Sequence, residues 1–341
     1  MTVSPDRALG WTDELNASWV AIGSPGLPGR VSRIDRGWST VLRHATDSDP
    51  LRVRNLYADV AIGDWVVISD DGERVDHVIE RSSAFVRRAA FEGDRFEADT
   101  LAANIDVVFL VHSLGSPPNQ RRLERELVLA FDSGAQPVVV LTKSDTVVDA
   151  EPARRELADV ALGVPVVVAS GITGEGIDEL RACVGDNRTL AFLGASGVGK
   201  STLVNALLDA DVMDTGEVRD HDQRGRHTTV AAQLLRLPDG GWLIDTPGVR
   251  AVSLWLSGNG IEKAFADVFD LADHCRFRDC KHDQEPGCAV QAAIAAGTLD
   301  GARLTSLEAL VAEEAALEAE QERWIRRGDR RRRRPPTIDD H

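Results

Sequence analysis

Residues 194–201 read Gly194-Ala195-Ser196-Gly197-Val198-Gly199-Lys200-Ser201 and fit the pattern G-x-x-x-x-G-K-[ST]. A loop of this kind works only at one place in a fold. A buried strand must enter it and a helix must leave it, so that successive backbone N–H groups and the helix N-terminus converge on phosphate oxygens. The flanks agree: Leu190-Ala191-Phe192-Leu193 is an apolar strand run, and a helix opening at Thr202 is predicted over 202–208. Lys200 is placed to reach the β- and γ-phosphates, and the Ser201 hydroxyl to ligate Mg²⁺. Apolar runs at 107–111, 137–141, 165–168 and 242–244 alternate with helical stretches at 121–133 and 153–162. That alternation predicts an α/β domain, with a parallel sheet covered by helices on both faces.

Four further elements surround the loop. Asp245-Thr246-Pro247-Gly248 follows the 242–244 strand, where an aspartate can hold Mg²⁺ through water and the Gly248 N–H can meet a γ-phosphate. Between the two lies Gly225-Arg226-His227-Thr228-Thr229, a segment whose threonine, Thr229, can complete Mg²⁺ coordination. Thr142-Lys143-Ser144-Asp145 follows the 137–141 strand and resembles the Asn-Lys-x-Asp element of GTPases. There the aspartate accepts hydrogen bonds from guanine N1–H and its exocyclic amine. Adenine offers neither donor, and a carboxylate left unpaired is costly, so selectivity is strong. Ser170-Gly171-Ile172-Thr173-Gly174-Glu175-Gly176 follows the next strand and resembles the Ser-Ala-x-x-Gly element that supports the base. The order is base readers first, phosphate loop second. This predicts a circularly permuted GTPase domain, an arrangement open to a fold whose natural termini lie close together. The permutation also sends the chain from residues 245–248 directly into the C-terminal region.

Outside that domain the pattern changes. Residues 30–38, 57–69 and 75–85 read as short strands separated by Asp-Gly and Gly-Asp turns, within a strand-rich region from 15 to about 90 that predicts a small β-barrel. From about 261 the chain is mostly helical, over 262–272, 289–296 and 305–327. Between the first two helices stand Cys275, Cys280, His282 and Cys288, three thiols and an imidazole within 14 residues, a donor set for one structural, tetrahedral Zn²⁺. His274 adjoins this cluster, but the spacing favours His282.

Composition bears on partners. The formal charge of −16 disfavours a phosphate backbone, yet residues 323–334 carry eight arginines against Asp329 alone, a local +7. An acidic body with a basic tail is a different object from a uniformly acidic protein. No window of 18 uninterrupted apolar residues occurs and the first residues lack a basic start and apolar run, so a cytoplasmic chain without membrane contact is expected.

The order of elements, together with Gly225 to Thr229, Cys275-Arg276-Phe277-Arg278-Asp279-Cys280, Glu285-Pro286-Gly287-Cys288-Ala289-Val290 and Leu101-Ala102-Ala103-Asn104-Ile105-Asp106, resembles the RsgA (YjeQ) family of small-subunit-dependent GTPases over residues 30–327. The resemblance implies a multidomain α/β protein. It has an N-terminal OB-fold RNA-binding barrel (1–95), a central circularly permuted P-loop GTPase domain (96–258), a C-terminal helical zinc-binding domain (259–328) and a basic, disordered tail (329–341). It implies GTP hydrolysis stimulated by the 30S subunit, a role in late maturation of that subunit, contacts with 16S rRNA, and Zn²⁺ and Mg²⁺ as cofactors. The candidate catalytic set is Lys200, Thr229 and His227. Family members carry Asn where this chain has Thr142, and Val249 stands where Ras-like enzymes place a water-positioning glutamine. His227 is the candidate for that role, since imidazole can orient or deprotonate water near neutral pH. Nothing suggests an obligate oligomer, so a monomer is expected. Two other readings remain at this stage: an ATP-dependent P-loop kinase of a small molecule, and a zinc-dependent RNA-binding module without turnover.

Overall fold

The computed structural model describes residues 5–23, 26–56, 59–88, 98–213, 232–245 and 259–332. The chain starts with helices where the sequence pattern predicts strands from residue 15. A 3₁₀ turn at Arg7–Leu9 precedes helix α1, Asp13–Ala21. The Thr12 hydroxyl caps α1 by accepting from the Leu15 amide at 3.2 Å, and Asp13 and Glu14 sit in its first turn, where the helix dipole favours acids. Local capping thus decides the structure of this segment. Its payload is Leu15 and Trp19, buried on one side, with Trp11 packed edge-on against Trp65 at 4.8 Å.

Five short strands follow: β1 (Leu27–Asp35), β2 (Trp38–Leu42), β3 (Leu51–Arg54), β4 (Trp65–Ile68) and β5 (Val75–Val78). β2 pairs β1 and β3, while β4 pairs β1 and β5, all antiparallel. A parallel bridge between Arg54 and Arg74, with the Arg54 amide donating to the Glu73 carbonyl at 2.8 Å, joins β3 to the start of β5 and closes the ring. Alternation places Val31, Val41, Val53, Val66 and Ile68 inside it as a separate core. The run read as one strand over 75–85 is two. Its second half begins β6 (Ala84–Arg88), which forms a hairpin with β7 (Ala98–Ala103).

The central sheet has the order β10-β9-β8-β11-β13-β12, from β8 (Val107–Ser113), β9 (Gln136–Thr142), β10 (Val166–Val168), β11 (Thr189–Gly194), β12 (Gln233–Arg236) and β13 (Trp242–Asp245). Among these described strands only β12 runs antiparallel. Helices α2 (Gln120–Ser133) and α3 (Glu151–Ala161) cover one face, α4 (Ile177–Val184) and α5 (Lys200–Leu208) the other. The odd–even alternation of β8 shows it: Val108 and Leu110 pack with Leu123, Leu127 and Leu157, whereas Val107, Phe109 and Val111 pack with Leu180, Leu203 and Leu207. The near-continuous apolar runs are therefore strands buried on both faces.

Barrel and central sheet are one hydrogen-bonded surface, because β1 pairs β12 with Arg33 opposite Gln233. Arg30 pins the same junction. Its buried guanidinium donates to the Leu9 carbonyl at 2.8 Å, the Asn104 and Gly63 carbonyls, and the Thr189 hydroxyl at 2.6 Å. Burial lowers this group to about 10, and the charges of Asp106 and Asp64 oppose that shift.

The C-terminal region is α6 (Asn259–Ala264), α7 (Ala266–Ala272), α8 (Ala289–Ala295) and α9 (Gly301–Arg332). The helix read over 262–272 is broken at the fully buried Phe265. α9 starts earlier than residue 305, where the Asp300 carboxylate caps the Ala302 amide at 2.9 Å, and it continues to Arg332, past the expected end at 327 and into the segment expected to be a disordered tail. α2 holds this region. Arg303 bridges Asp267 and the buried Glu124, Ser306 donates to Glu124, and Arg125 makes a two-pronged pair with Glu313 at 2.6 and 2.9 Å. Gly260 lets α6 lie against α2, since a Cβ there would stand 2.4 Å from the Val128 carbonyl oxygen. No helix among the described residues is long and apolar enough to cross a membrane.

Candidate nucleotide-binding and metal sites

The phosphate loop leaves β11 at Gly194 and enters α5 at Lys200. Gly194 has φ +148°, and a Cβ on it would sit 2.6 Å from the Val111 carbonyl oxygen of β8, so only glycine lets the chain turn there. Gly197 and Gly199 also take positive φ. Ala195, Ser196, Gly197 and Val198 form the outer curve of the loop, and Lys200, Ser201 and Thr202 its helical shoulder, all partly or fully accessible. The Lys200 ammonium donates to the Gly194 carbonyl at 2.8 Å and to that of Ala195, so the positive charge lies inside the curl.

The strand ends bring the base readers to the same edge. Thr142 closes β9 and is buried, its hydroxyl within reach of two carbonyls, Val198 of the phosphate loop and His112 of β8, the latter at 3.1 Å. Lys143 takes a left-handed backbone (φ +62°) and extends its ammonium to the Gly197 carbonyl at 2.8 Å. Two consecutive residues of the base-reading segment are thus tied to the phosphate loop. Ser170 donates to the Asp145 carboxylate at 2.6 Å, and its oxygen accepts from the Ile172 and Thr173 amides. Asp145 is exposed at the rim, oriented by this contact. Ser144 donates to Glu175 at 2.5 Å, which joins the two base loops a second time, and Gly171 abuts Thr202. A cavity of about 460 Å³ lies beside the site, lined by Ala195 to Val198, Lys143, Ser113 and Arg122 among others.

Asp245 ends β13 opposite Gln233 of β12. His227, Thr229 and Gly248 lie outside the described residues. Sequence reasoning passed over His112 and Glu126, a buried pair at 2.9 Å whose carboxylate also accepts from Arg122. The one signal was a histidine directly following the apolar run of β8.

In the C-terminal region the donor atoms of Cys275, Cys280, His282 and Cys288 all lie within 4.8 Å of one another. The His282 Nδ1 is 3.4 Å from the Cys288 sulfur and 3.6 Å from that of Cys275. His282 has φ +58°, a left-handed turn that brings the imidazole back over the thiols. The Ala289 and Gln291 amides donate to the Cys275 and Cys288 sulfurs, as they would to thiolates. The His282 amide lowers the Cys280 thiol, but burial and the neighbouring thiols push it up to about 11. A divalent cation removes that crowding, because coordinating thiols are deprotonated. Three sulfurs and one imidazole nitrogen fit tetrahedral zinc. His274 turns away, its Nδ1 2.8 Å from the Asp270 carbonyl.

Known proteins resemble this chain in sequence and fold. The model of the RsgA GTPase family matches residues 78–255. A Streptomyces coelicolor protein named small ribosomal subunit biogenesis GTPase RsgA is 44% identical over 322 residues, 90% of this chain and 86% of its own. A Lactiplantibacillus plantarum protein named small ribosomal subunit biogenesis GTPase RsgA 2 is 40% identical, covering 83% and 82%. Among solved structures, YjeQ from Thermotoga maritima superposes with a TM-score of 0.62 at 26% identity, covering 84% of this chain and 98% of its own. YloQ, described as a circularly permuted GTPase, shares the fold with a TM-score of 0.60 at 24% identity, covering 85% and 95%. With its base-reading loops ahead of its phosphate loop and both gathered at one sheet edge, the chain belongs to the RsgA family of circularly permuted GTPases and is a GTP hydrolase.

Proposed function

We propose that this GTPase acts in biogenesis of the small ribosomal subunit, with hydrolysis stimulated by the 30S particle and its outer regions touching 16S rRNA late in maturation. One observation carries the reading: the permuted order, which routes the chain from Asp245 straight toward α6, occurs together with relatives at 40–44% identity named for that process. Neither the small-molecule kinase nor the turnover-free RNA-binding module is favoured, since those relatives are named as GTPases.

Within this reading GTP lies over residues 194–202 with its base at Asp145, Lys143 and Ser170. Ser201, Thr229 and Asp245 hold Mg²⁺. The Cys275, Cys280, His282 and Cys288 set holds one structural Zn²⁺, and Gly248 meets the γ-phosphate. His227 positions water in the role Val249 cannot fill. The N-terminal ring is an OB-fold, supported by its neighbour order β1-β2-β3-β5-β4, with β3 and β5 meeting in parallel. The protein works as a cytoplasmic monomer.

The test is phosphate release from GTP with and without purified small subunits. Strong stimulation is expected, and an equal rate overturns the reading. Single-turnover hydrolysis by His227→Ala on subunits separates its own role: an undiminished rate at normal GTP affinity removes the water-positioning assignment.

A further inference from the structure

Where the barrel joins the central sheet, the strand order β13-β12-β1 sets three polar residues in one row. Gln233 of β12 stands opposite Asp245 of β13 on one side and opposite Arg33 of β1 on the other. Directly opposite residues share a face, with Cβ atoms about 4.5–5.5 Å apart. The row therefore reads guanidinium, amide, carboxylate, from the barrel to the strand end that carries Asp245. Its face is that of α5: Leu235 and Leu243, two positions from Gln233 and Asp245, pack in the cluster that holds Leu203 and Leu207 of that helix. α5 also carries Ser201 in its first turn. A hydroxyl and a carboxylate on one side of the sheet are oxygen donors of the kind Mg²⁺ takes.

An amide suits the middle of this row on both sides. Its Oε1 accepts from a guanidinium, and its Nε2 donates to a carboxylate. A glutamate there would repel Asp245, and a lysine would repel Arg33. The Gln233 amide is half-buried and has no hydrogen-bond partner among the described residues. Leaving such a group unpaired is costly. The Arg33 guanidinium meets Asp35 of its own strand only at 3.4 Å, which leaves N–H groups for a second acceptor. Nor is β1 free to drift. Three positions before Arg33, Arg30 anchors the strand to the Asn104 carbonyl and the Thr189 hydroxyl. One residue, Gln233, thus separates the pinned barrel strand from Asp245.

We propose that Gln233 is a positioning residue for the Mg²⁺ site: its amide holds the Asp245 carboxylate in the orientation that meets the cation, and is itself held by Arg33 of the barrel. Gln233 touches neither the cation nor GTP. The proposal rests on the assignment of Asp245 to Mg²⁺ made above. The experiment follows release of a fluorescent, non-hydrolysable GTP analogue from the full-length protein while Mg²⁺ is titrated, and reads the Mg²⁺ concentration that half-slows release. Gln233→Met keeps the side-chain length and removes the amide. It should raise this midpoint about tenfold, as for loss of one hydrogen bond to a charged group. Arg33→Met should raise it about threefold. The double variant should match Gln233→Met alone, because Arg33 acts through Gln233. In EDTA each variant should bind the analogue within about twofold of wild type, which a collapsed site would not do. Arg33→Met alters a half-exposed side chain and gives the answer should Gln233→Met fail to fold. Midpoints within about twofold of wild type, a double variant that multiplies the two shifts, or weakened binding in EDTA overturns the proposal. Asp245→Ala separates it from the reading beneath it. A midpoint that Asp245→Ala leaves in place removes Asp245 from Mg²⁺ and the proposal with it. A midpoint moved by Asp245→Ala but by neither of the other two variants removes the proposal alone.

Discussion

Thr142 shows how one residue joins two halves of a site. Its hydroxyl has a single proton for two carbonyl acceptors, Val198 and His112, so it donates to one or the other at any moment. Thr142→Val should deprive both carbonyls of this donor. A cost of about 1–3 kcal/mol is expected, read as a lower thermal midpoint and weaker GTP and GDP binding, with Thr142→Ser largely restoring both. In the proposed site Asp145 discriminates rather than tethers. Asp145→Asn should cost GTP about 10–100-fold in affinity and erase its preference over ATP, measured by competition against a fluorescent GTP analogue. An intact preference would mean that the base is read elsewhere. The identity of both residues was legible in the sequence because their spacing from strand ends is regular. What Thr142 touches was not, since its partners lie 30 and 56 positions away and only the sheet order β9-β8-β11 brings them together.

Among the elements, strands buried on both faces were the most readable, and helix ends the least. The β8, β9 and β11 runs announce themselves by unbroken apolarity. α1 was missed because Thr12, Asp13 and Glu14 act through capping rather than periodicity, and the break between α6 and α7 because Phe265 is apolar like its neighbours and is set by packing. The metal-ligand segment is the element with least core of its own: between α7 and α8 only Cys288 is buried. Zinc at such sites supplies an apparent free energy of roughly 10–16 kcal/mol in isolated fingers. Chelation should therefore strip hydrogen-exchange protection from residues 275–296 while GTP binding persists. Equal protection before and after metal removal would show that packing of α8 against α7 suffices.

For the molecule as a whole, net charge and charge distribution point to different partners. The eight arginines of residues 323–334 lie on the last turns of α9 and beyond, separated in sequence from the acidic body. Deleting residues 326–341 should weaken subunit binding and lower the slope of log affinity against log salt, by up to about one unit for each phosphate no longer neutralised. An unchanged slope would make the tail a solvated extension. Long-range organisation was the least legible level: the N-terminal strands could be foreseen, but not that β1 would add itself to β12. That pairing has a protective side. A nucleotide-binding sheet ends in an outermost strand whose free N–H and C=O groups invite another chain to add on. At the β12 edge the barrel meets that strand where Arg33 stands opposite Gln233, and among the described residues the barrel is itself closed where Arg54 meets Arg74. A fragment starting at residue 98 should keep its phosphate loop yet self-associate with rising concentration, seen by light scattering, because removing the barrel uncovers a template for aggregation.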